Sequence, residues 1–378
     1  MSFDFSPESL EREFPVRRNL VYLNHAAVAP MPRRVADAMT EHLENMRDRG
    51  AADWRRWFGD IEKAREKAAR RMGAATSEVA FLPNTSWALN YVALASPWRS
   101  GDNVVTSDLE FPSNAYPWQA LEQRDVECRV ANNRDGRVGL AELAARVDAR
   151  TRVIAVSWVA FHNGWVFPLE ELGAFCRERG ILLAVDAIQG LGLLPIDVHR
   201  AGVHVLAADS HKWLYGPEGC TVFYVAEEAA ERIPPIASGW WNSKTEGDYL
   251  GSRATLYKGA RRYEPGTLPT DHIIGLSASL DLLADIGAET ALRRVLELVT
   301  VLADGLRLRG WEIATPEPFR SGILGAVPPV RDARAWASDL EARGVIVSPR
   351  EGLVRFSPHV GNDLDEIEKA LSVVDAIG

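Results

Sequence analysis

The segment from Ile181 to Tyr224 constrains the fold of this chain more than any other. It contains two apolar runs, and each ends at an acidic residue, the first at Asp186 and the second at Asp209. Apolar runs of this length with polar residues at their ends are typical of buried strands. Because ligands bind beyond the carboxyl ends of the strands in open α/β sheets, we expect a functional site where these two runs end.

A lysine, Lys212, follows the second run within the sequence Asp-Ser-His-Lys. Taken alone, it is most simply a surface lysine at the end of a strand. A charged amine beside a buried sheet is costly unless it is paired or has reacted, and a desolvated lysine is suited to forming an imine with an aldehyde. Asp186, accompanied by Gln189, ends the other strand. A carboxylate there can keep the pyridine nitrogen of pyridoxal phosphate protonated, which makes the ring an electron sink.

The order of these motifs resembles a known family. A hydrophobic strand ends in Asp186-x-x-Gln189, and Ser-His-Lys follows further along with Tyr215-Gly-Pro217 after it. This pattern is similar to that of the class V aminotransferases, which include cysteine desulfurases and selenocysteine lyases, kynureninase and isopenicillin N epimerase. The resemblance extends from about Tyr22 to the C-terminal region. It implies a fold-type I enzyme that uses pyridoxal 5'-phosphate, with Lys212 as the catalytic residue that holds the cofactor as an imine.

Strand-like and helix-like segments alternate between Val126 and Arg179, which predicts an α/β fold with a mostly parallel mixed sheet flanked by helices. Residues 21–30 begin as a strand, and residues 32–73 show helical spacing of apolar side chains. The resemblance adds a smaller α+β domain after the large one. We predict an N-terminal segment over 1–20 that packs on the small domain, a large cofactor-binding domain over 21–262 and a small C-terminal domain over 263–378.

Thr85 and Ser86 open an apolar helix directly after a short strand. Hydroxyls at a helix start are ordinary caps by default, although the backbone N–H groups there also bind phosphate. The resemblance implies that Thr85 and Ser86 contact the cofactor phosphate. It also implies that Gly266 and Thr267 reach the phosphate of the neighbouring subunit's cofactor, so the expected active unit is a homodimer with shared sites.

The remaining cofactor contacts are also implied by the resemblance. Phe111 stands where desulfurases have a histidine, and it can stack on the pyridine ring but cannot move a proton. Gln189 is expected to contact the ring oxygen and His211 the phosphate. Asp209 stands where desulfurases have a phosphate-binding serine, and a carboxylate would repel the phosphate dianion. We therefore assign that contact to Ser210.

Three residues are candidates for substrate binding. A buried arginine on a strand is costly without an anion, and the resemblance implies that Arg355 binds the α-carboxylate of an amino acid; a surface salt bridge is the alternative. Asn24 and His25 lie in a loop that resembles the substrate side of the family's site, although His25 is equally compatible with a turn residue that satisfies its own loop.

The reaction itself stays open. Residues Gly344 to Arg355 contain no cysteine and leave little room for a loop that could carry one, which argues against persulfide-forming desulfurase chemistry. Phe161 stands where desulfurases have an asparagine near the ring oxygen, a further departure from that branch. We predict that Lys212 removes the α-proton of a small amino acid, and we favour transamination, with C–S β-elimination from a cysteine or cystine-type substrate and epimerisation as alternatives. A non-catalytic regulator that binds the cofactor is the hypothesis from another class.

The composition and charge of the chain exclude several classes of binding partner. The formal net charge of −9 argues against a nucleic-acid surface, and no apolar run approaches the length of a membrane span. The N-terminus lacks the features of a secretion signal. The cysteines, Cys128, Cys176 and Cys220, are scattered without metal-ligand spacing, so we expect no metal site. The predicted location is the cytoplasm.

Overall fold

The strands of this chain form a central mixed sheet and smaller sheets that involve its C-terminal region. The computed structural model describes residues 3–244, 255–330 and 332–378. In these residues the strands are β1 (Val21–Tyr22), β2 (Val79–Leu82), β3 (Asn103–Ser107), β4 (Glu127–Ala131), β5 (Thr151–Ser157), β6 (Leu182–Asp186), β7 (Val205–Asp209), β8 (Thr221–Val225), β9 (Glu312–Ile313), β10 (Leu324–Val327), β11 (Val345–Ile346), β12 (Ser348–Arg350) and β13 (Leu353–Phe356).

The central sheet has the order β2-β8-β7-β6-β5-β3-β4. Strands β7, β6, β5, β3 and β4 pair in parallel, whereas β8 is antiparallel to both of its neighbours. Strands β6 and β7 are buried at every position, as expected for parallel strands covered by helices on both faces. The predicted α/β class and the mostly parallel mixed sheet are confirmed.

Helices cover this sheet and continue into the C-terminal region. Their bounds in the described residues are α1 (Pro7–Glu13), α2 (Arg33–Arg49), α3 (Trp54–Met72), α4 (Thr85–Ala95), α5 (Pro112–Gln119), α6 (Leu140–Ala144), α7 (Leu169–Arg179), α8 (Glu227–Ala230), α9 (Thr270–Ile286), α10 (Ala288–Arg307), α11 (Ala333–Glu341) and α12 (Leu364–Ile377). Helix α4 packs on β2, β6, β7 and β8, and α9 packs against α2 and α3.

Two features of the N-terminal region differ from the predictions. The helical stretch predicted over 32–73 is interrupted, because the chain leaves α2 at Gly50 with a φ of 54° and passes through a 3-10 turn before α3 begins. Glycine tolerates positive φ values without a Cβ clash. The strand predicted from residue 21 is only two residues long, and its continuation forms the loop beside the candidate site.

A second, antiparallel sheet with the order β12-β13-β10-β9 lies in the C-terminal region. Strand β1 pairs in parallel with β11, so the N-terminal chain lies against this region. Arg17 forms ion pairs with Asp363 and Glu366 at the start of α12. Arg17 thus contacts the C-terminal region, and the packing of residues 1–20 on a small domain stays a prediction. The domain limits at residues 21 and 263 stay predictions.

No helix in the described ranges is both long and apolar enough to cross a bilayer.

Candidate functional site

A cavity of about 390 Å³ lies at the carboxyl ends of the central parallel strands. Asp186 and Asp209, the last residues of β6 and β7, face it. Its wall contains residues from the N-terminal loop, α4, the strand ends and the C-terminal sheet: Ala26, Ala27, Val28, Asn84, Thr85, Ser86, Phe111, Ser113, Phe161, Asp186, Ile188, Gln189, Asp209, His211, Lys212, Arg350 and Arg355. The structure thus places this cavity where the sequence predicted a functional site.

Lys212 lies in the turn after β7 and projects into the cavity. Burial lowers the pKa of Lys212 to about 8, against the opposing effect of the nearby Asp186 carboxylate. Its Nζ atom lies 5.8 Å from the centre of the Phe111 ring. A lysine with this pKa has an appreciable neutral fraction near neutral pH, and the neutral form is the one that acts as a nucleophile or base.

Asp186 and Gln189 lie beside Lys212. Burial raises the pKa of Asp186 to about 6, although the Ile188 N–H donates to its carboxylate and Lys212 lies nearby. The Gln189 amide donates to the carbonyl of Ala26 and accepts from the indole N–H of Trp213. Because an amide group has two N–H donors, one remains for a ligand. The predicted contact of Gln189 with a ring oxygen stays a prediction.

The N-terminus of α4 forms another side of the cavity. Asn84 caps this helix by accepting from the Trp87 N–H, so the cap is not Thr85 or Ser86, which the sequence had suggested as the default cap. The Thr85 hydroxyl accepts from the backbone N–H of Asp209, and the Ser86 hydroxyl donates to that of Ser113. The predicted phosphate residues Thr85 and Ser86 therefore do lie on the cavity, at a helix start that favours anions.

The turn after β7 separates two of the predicted phosphate contacts. His211 lines the cavity, with its Nδ1 atom 3.4 Å from the Asp209 carboxylate. Ser210 is fully buried outside the cavity, and its hydroxyl donates to the Pro217 carbonyl. Successive residues at a strand end point to opposite sides, so when Asp209 faces the cavity Ser210 does not. The structure therefore gives no support to Ser210 as a phosphate contact.

Arg355 on β13 is 2% exposed and reaches the cavity from the C-terminal sheet. Its Nη1 atom donates to the Phe161 carbonyl at 2.8 Å. Its Nε and Nη2 atoms are buried, and within the described ranges they have no hydrogen-bond partner. Burial, followed by the charge of Arg350, lowers the pKa of Arg355 to about 9. Unsatisfied buried donors are costly, and an anion bound to this guanidinium would offset that cost.

The two other predicted substrate residues are not brought to the cavity. His25 is completely buried, and its ring packs against Trp213, Tyr215 and His359. Asn24 forms a bridge with the strand end at Ser357. It is the following residues, 26–28, that line the cavity. The predicted loop therefore borders the cavity through its later residues, and His25 is packed as a core residue; a role of Asn24 or His25 in substrate binding stays a prediction.

Gly266 and Thr267 also lie outside the cavity wall, with Gly266 partly exposed and Thr267 exposed. Their predicted role in a neighbouring subunit's site stays a prediction. In the glycine- and tryptophan-rich loop over residues 239–262, Trp241 stacks on Phe58, and Asn242 is buried and hydrogen-bonded. Residues 245–254 of that loop lie outside the described residues.

Phe111 and Phe161 form the aromatic part of the wall, with ring centres 5.2 Å apart in an edge-on arrangement. Glu110 directly precedes Phe111 in the chain, and its role was not predicted from the sequence. It is buried and accepts hydrogen bonds from Ser107, Asn114 and Ser157, which joins the ends of β3 and β5 to α5. Burial raises the pKa of Glu110 to about 7 against these hydrogen bonds. Its signal in the sequence was only its position before Phe111.

The described ranges contain no group of three or more histidine, cysteine or acidic residues that could hold a metal ion. None of the three cysteines lines the cavity. Burial raises the pKa of Cys128 to about 11 and that of Cys176 to about 12, and it raises the pKa of Cys220 well above the ordinary value. These thiols are therefore held in their unreactive, protonated form.

The fold and the cavity define an α/β enzyme with a lysine at the end of a buried parallel strand. The chain belongs to the class V aminotransferase family, since the family profile described as Aminotransferase class-V matches residues 21–353. It is 30% identical over 375 residues to the uncharacterized aminotransferase YcbU of Bacillus subtilis, covering 98% of each protein. It is 33% identical over 285 residues to a probable cysteine desulfurase of Methanothermobacter thermautotrophicus, covering 74% of this chain and 70% of the relative.

The fold is also similar to that of a solved structure. The apo cysteine desulfurase from Thermococcus onnurineus NA1 superposes with a TM-score of 0.92 at 26% identity, and the alignment covers 100% of this chain and 99% of the other. This similarity extends over both the central sheet and the C-terminal sheet. The predicted fold-type I architecture is therefore confirmed.

Family membership indicates pyridoxal 5'-phosphate as the cofactor, and the residues present fit it. The cavity combines a partly neutral amine, a buried carboxylate, an aromatic wall and a helix N-terminus that carries two hydroxyls. Asp209 lies on the α4 side of the cavity, where its charge would oppose a phosphate dianion, and His211 lies beside it.

Proposed function

We propose that this protein is a pyridoxal 5'-phosphate-dependent enzyme that breaks the Cα–H bond of an amino acid and transfers its amino group, as an aminotransferase does. One observation supports this above the others. Lys212 and Arg355 line the same cavity from two different sheets, and the Nε and Nη2 atoms of Arg355 have no hydrogen-bond partner in the described ranges. An amino acid bound by its carboxylate at Arg355 would present its α-carbon to that cavity, where Lys212 can act on it.

The chemistry that pyridoxal 5'-phosphate supplies is an aldehyde that condenses with amines and a ring that delocalises negative charge. Lys212 is the attachment residue for the aldehyde and the base that takes the α-proton, because burial keeps part of it neutral. The Asp186 carboxylate would favour a protonated ring nitrogen when the cofactor is bound. Phe111 provides the stacking surface for the ring.

Arg355 is the residue that orients the substrate. Its Nη1 atom donates to the Phe161 carbonyl, and its Nε and Nη2 atoms, which have no partner in the described ranges, are available to a ligand. A guanidinium binds a carboxylate through two parallel hydrogen bonds. Thr85, Ser86 and the N–H groups at the start of α4 form the phosphate site, with His211 beside them. Gly266 and Thr267 complete the neighbouring subunit's site in the homodimer that we propose.

Persulfide-forming desulfurase activity does not fit this cavity. That chemistry needs a thiolate that reaches the substrate's sulfur, and none of the cysteines lies on the wall. C–S β-elimination needs no such thiol, because the sulfur leaves with the product, and it is the second reaction that this cavity allows. A regulator that only binds the cofactor would not require the buried, unpartnered donors of Arg355.

Transamination predicts a definite product. Incubation of the loaded enzyme with an amino acid substrate should yield the corresponding keto acid and an aminated cofactor, in a ratio of one to one in the absence of an amino acceptor. Addition of a second keto acid should restore the starting absorbance spectrum. The measurement is the absorbance spectrum of the enzyme together with quantification of the keto acid.

The same assay separates the alternatives. Pyruvate and ammonia from cysteine or cystine, with no aminated cofactor, would assign the enzyme to the C–S lyases. Loss of optical activity without a keto acid would indicate epimerisation. Sulfane sulfur accumulating on Cys128, Cys176 or Cys220 during turnover would contradict the exclusion of desulfurase chemistry. A protein that shows no spectral change with any amino acid would be a binder rather than an enzyme.

A further inference from the structure

A second arginine, Arg350, lines the cavity beside Arg355. The two residues belong to antiparallel neighbours, because β12 pairs with β13 in the register Ser348 to Arg355 and Arg350 to Leu353. Side chains of directly paired residues, and of residues two apart on one strand, share a face of the sheet. Arg350 and Arg355 are therefore diagonal neighbours on the same face, at a Cβ separation of roughly 7–8 Å.

Within the described ranges, neither guanidinium forms an ion pair with a carboxylate. In the described parts of the chain, Arg350 makes one side-chain hydrogen bond, to the carbonyl of Pro349, and forms no ion pair. Two acidic residues, Asp332 and Glu351, line a separate surface cavity that Arg350 also borders, but neither is paired with Arg350. The charge of Arg350 contributes to lowering the pKa of both Arg355 and Lys212. Asp186 and Asp209 offset part of this effect at Lys212, whereas no carboxylate is paired with either arginine in the described ranges.

The acidic residues of the cavity have other partners. Asp186 accepts from the Ile188 N–H and is assigned above to the ring nitrogen of the cofactor. Asp209 accepts from the Ser210 N–H and lies beside His211, on the side of α4. One α-carboxylate on Arg355 would leave Arg350 uncompensated. Two like charges on one face of a sheet are unfavourable unless a ligand offsets both.

We propose that Arg350 binds a second anionic group, a carboxylate or sulfinate on the substrate's side chain, so that the site selects acidic amino acids. This inference rests on the proposed function for the α-carboxylate site at Arg355. A short carbon chain separates the two acidic groups of such an amino acid. Each group can therefore bind a different guanidinium, one at Arg355 and the other at Arg350. Arg350 is a substrate-binding residue in this account, and Lys212 and Asp186 act as they would with a neutral substrate.

Binding of unreactive acids tests this directly. We expect the loaded wild-type enzyme to bind succinate at least about tenfold more tightly than propionate, since a hydrogen-bonded charge pair contributes roughly that factor. Arg350→Gln should weaken succinate binding by about the same factor and leave propionate binding nearly unchanged. Isothermal calorimetry provides both dissociation constants. Arg334→Gln is the matched control, because Arg334 is exposed and borders only the outer cavity.

Turnover provides the second measurement. The wild-type enzyme should show a higher kcat/KM for aspartate or glutamate than for alanine, and Arg350→Gln should reduce that preference by at least about tenfold. Equal binding of succinate and propionate, or an unchanged preference in Arg350→Gln, would overturn the proposal. An enzyme that binds succinate as expected but converts no amino acid would instead contradict the proposed function, so the two failures are distinguishable.

Discussion

Replacing Lys212 with alanine is expected to lower amino acid turnover by at least about 10³-fold, because one side chain supplies both the attachment point and the base. Folding should be little affected, since no hydrogen bond or ion pair of the Lys212 side chain is found in the described ranges. Turnover is measured with the keto acid assay, and unfolding is followed by circular dichroism. Lys67→Ala is the control, because Lys67 is ion-paired with Asp281 outside the cavity.

The pH dependence of cofactor uptake gives an independent check on Lys212. A lysine attacks an aldehyde only when it is neutral. Burial lowers the pKa of Lys212 to about 8, so the rate of uptake by the apoprotein should rise as the pH increases through about 8 and level off above it. A rate that keeps rising up to the ordinary pKa of an exposed lysine, or turnover retained in Lys212→Ala, would contradict the role of this residue.

Replacing Arg355 with methionine is expected to lower activity without lowering stability. Loss of the carboxylate site should reduce kcat/KM by about 10²-fold, corresponding to ~3 kcal/mol of lost binding. The free energy of unfolding should stay the same or increase by about 1 kcal/mol, because an apolar side chain replaces a buried cation with two unsatisfied nitrogens. Steady-state kinetics and denaturant unfolding measure the two quantities.

Arg65 offers a matched comparison for that experiment. It is 3% exposed, like Arg355, but it forms a buried ion pair with Glu264 at 2.6 Å and also donates to the Val79 carbonyl. Arg65→Met should therefore destabilise the protein by about 3 kcal/mol, since it leaves the Glu264 carboxylate without its partner. If Arg355→Met destabilised the protein as much as Arg65→Met, Arg355 would be a structural residue rather than a ligand-binding one.

The residues whose positions the sequence predicted lie at the ends of buried strands. Asp186 and Asp209 end continuous apolar runs, and such runs determine where the strands of a parallel sheet stop. The positions of Lys212 and of the α4 N-terminus follow from the same strands. The positions of these residues depend on where buried apolar strands end, and a short stretch of sequence is enough to show that.

The parts that the sequence did not predict depend on side-chain direction and on contacts between distant segments. Ser210 and Asp209 are adjacent, and only the strand geometry decides which of them faces the cavity. His25 is buried by Trp213, Tyr215 and His359, which come from two other regions of the chain. Arg350 precedes a glutamate in a charged stretch that is typical of a solvent-exposed turn. Its position beside Arg355 follows from the pairing of β12 with β13.

The most direct test of the central claim is to locate the cofactor on the chain. Purified protein is loaded with pyridoxal 5'-phosphate, reduced with borohydride, digested and analysed by mass spectrometry. We expect one peptide to carry the reduced cofactor at Lys212, and we expect Lys212→Ala to yield no such peptide. Modification of a different lysine, or a wild-type protein that remains colourless and unmodified after loading, would contradict it.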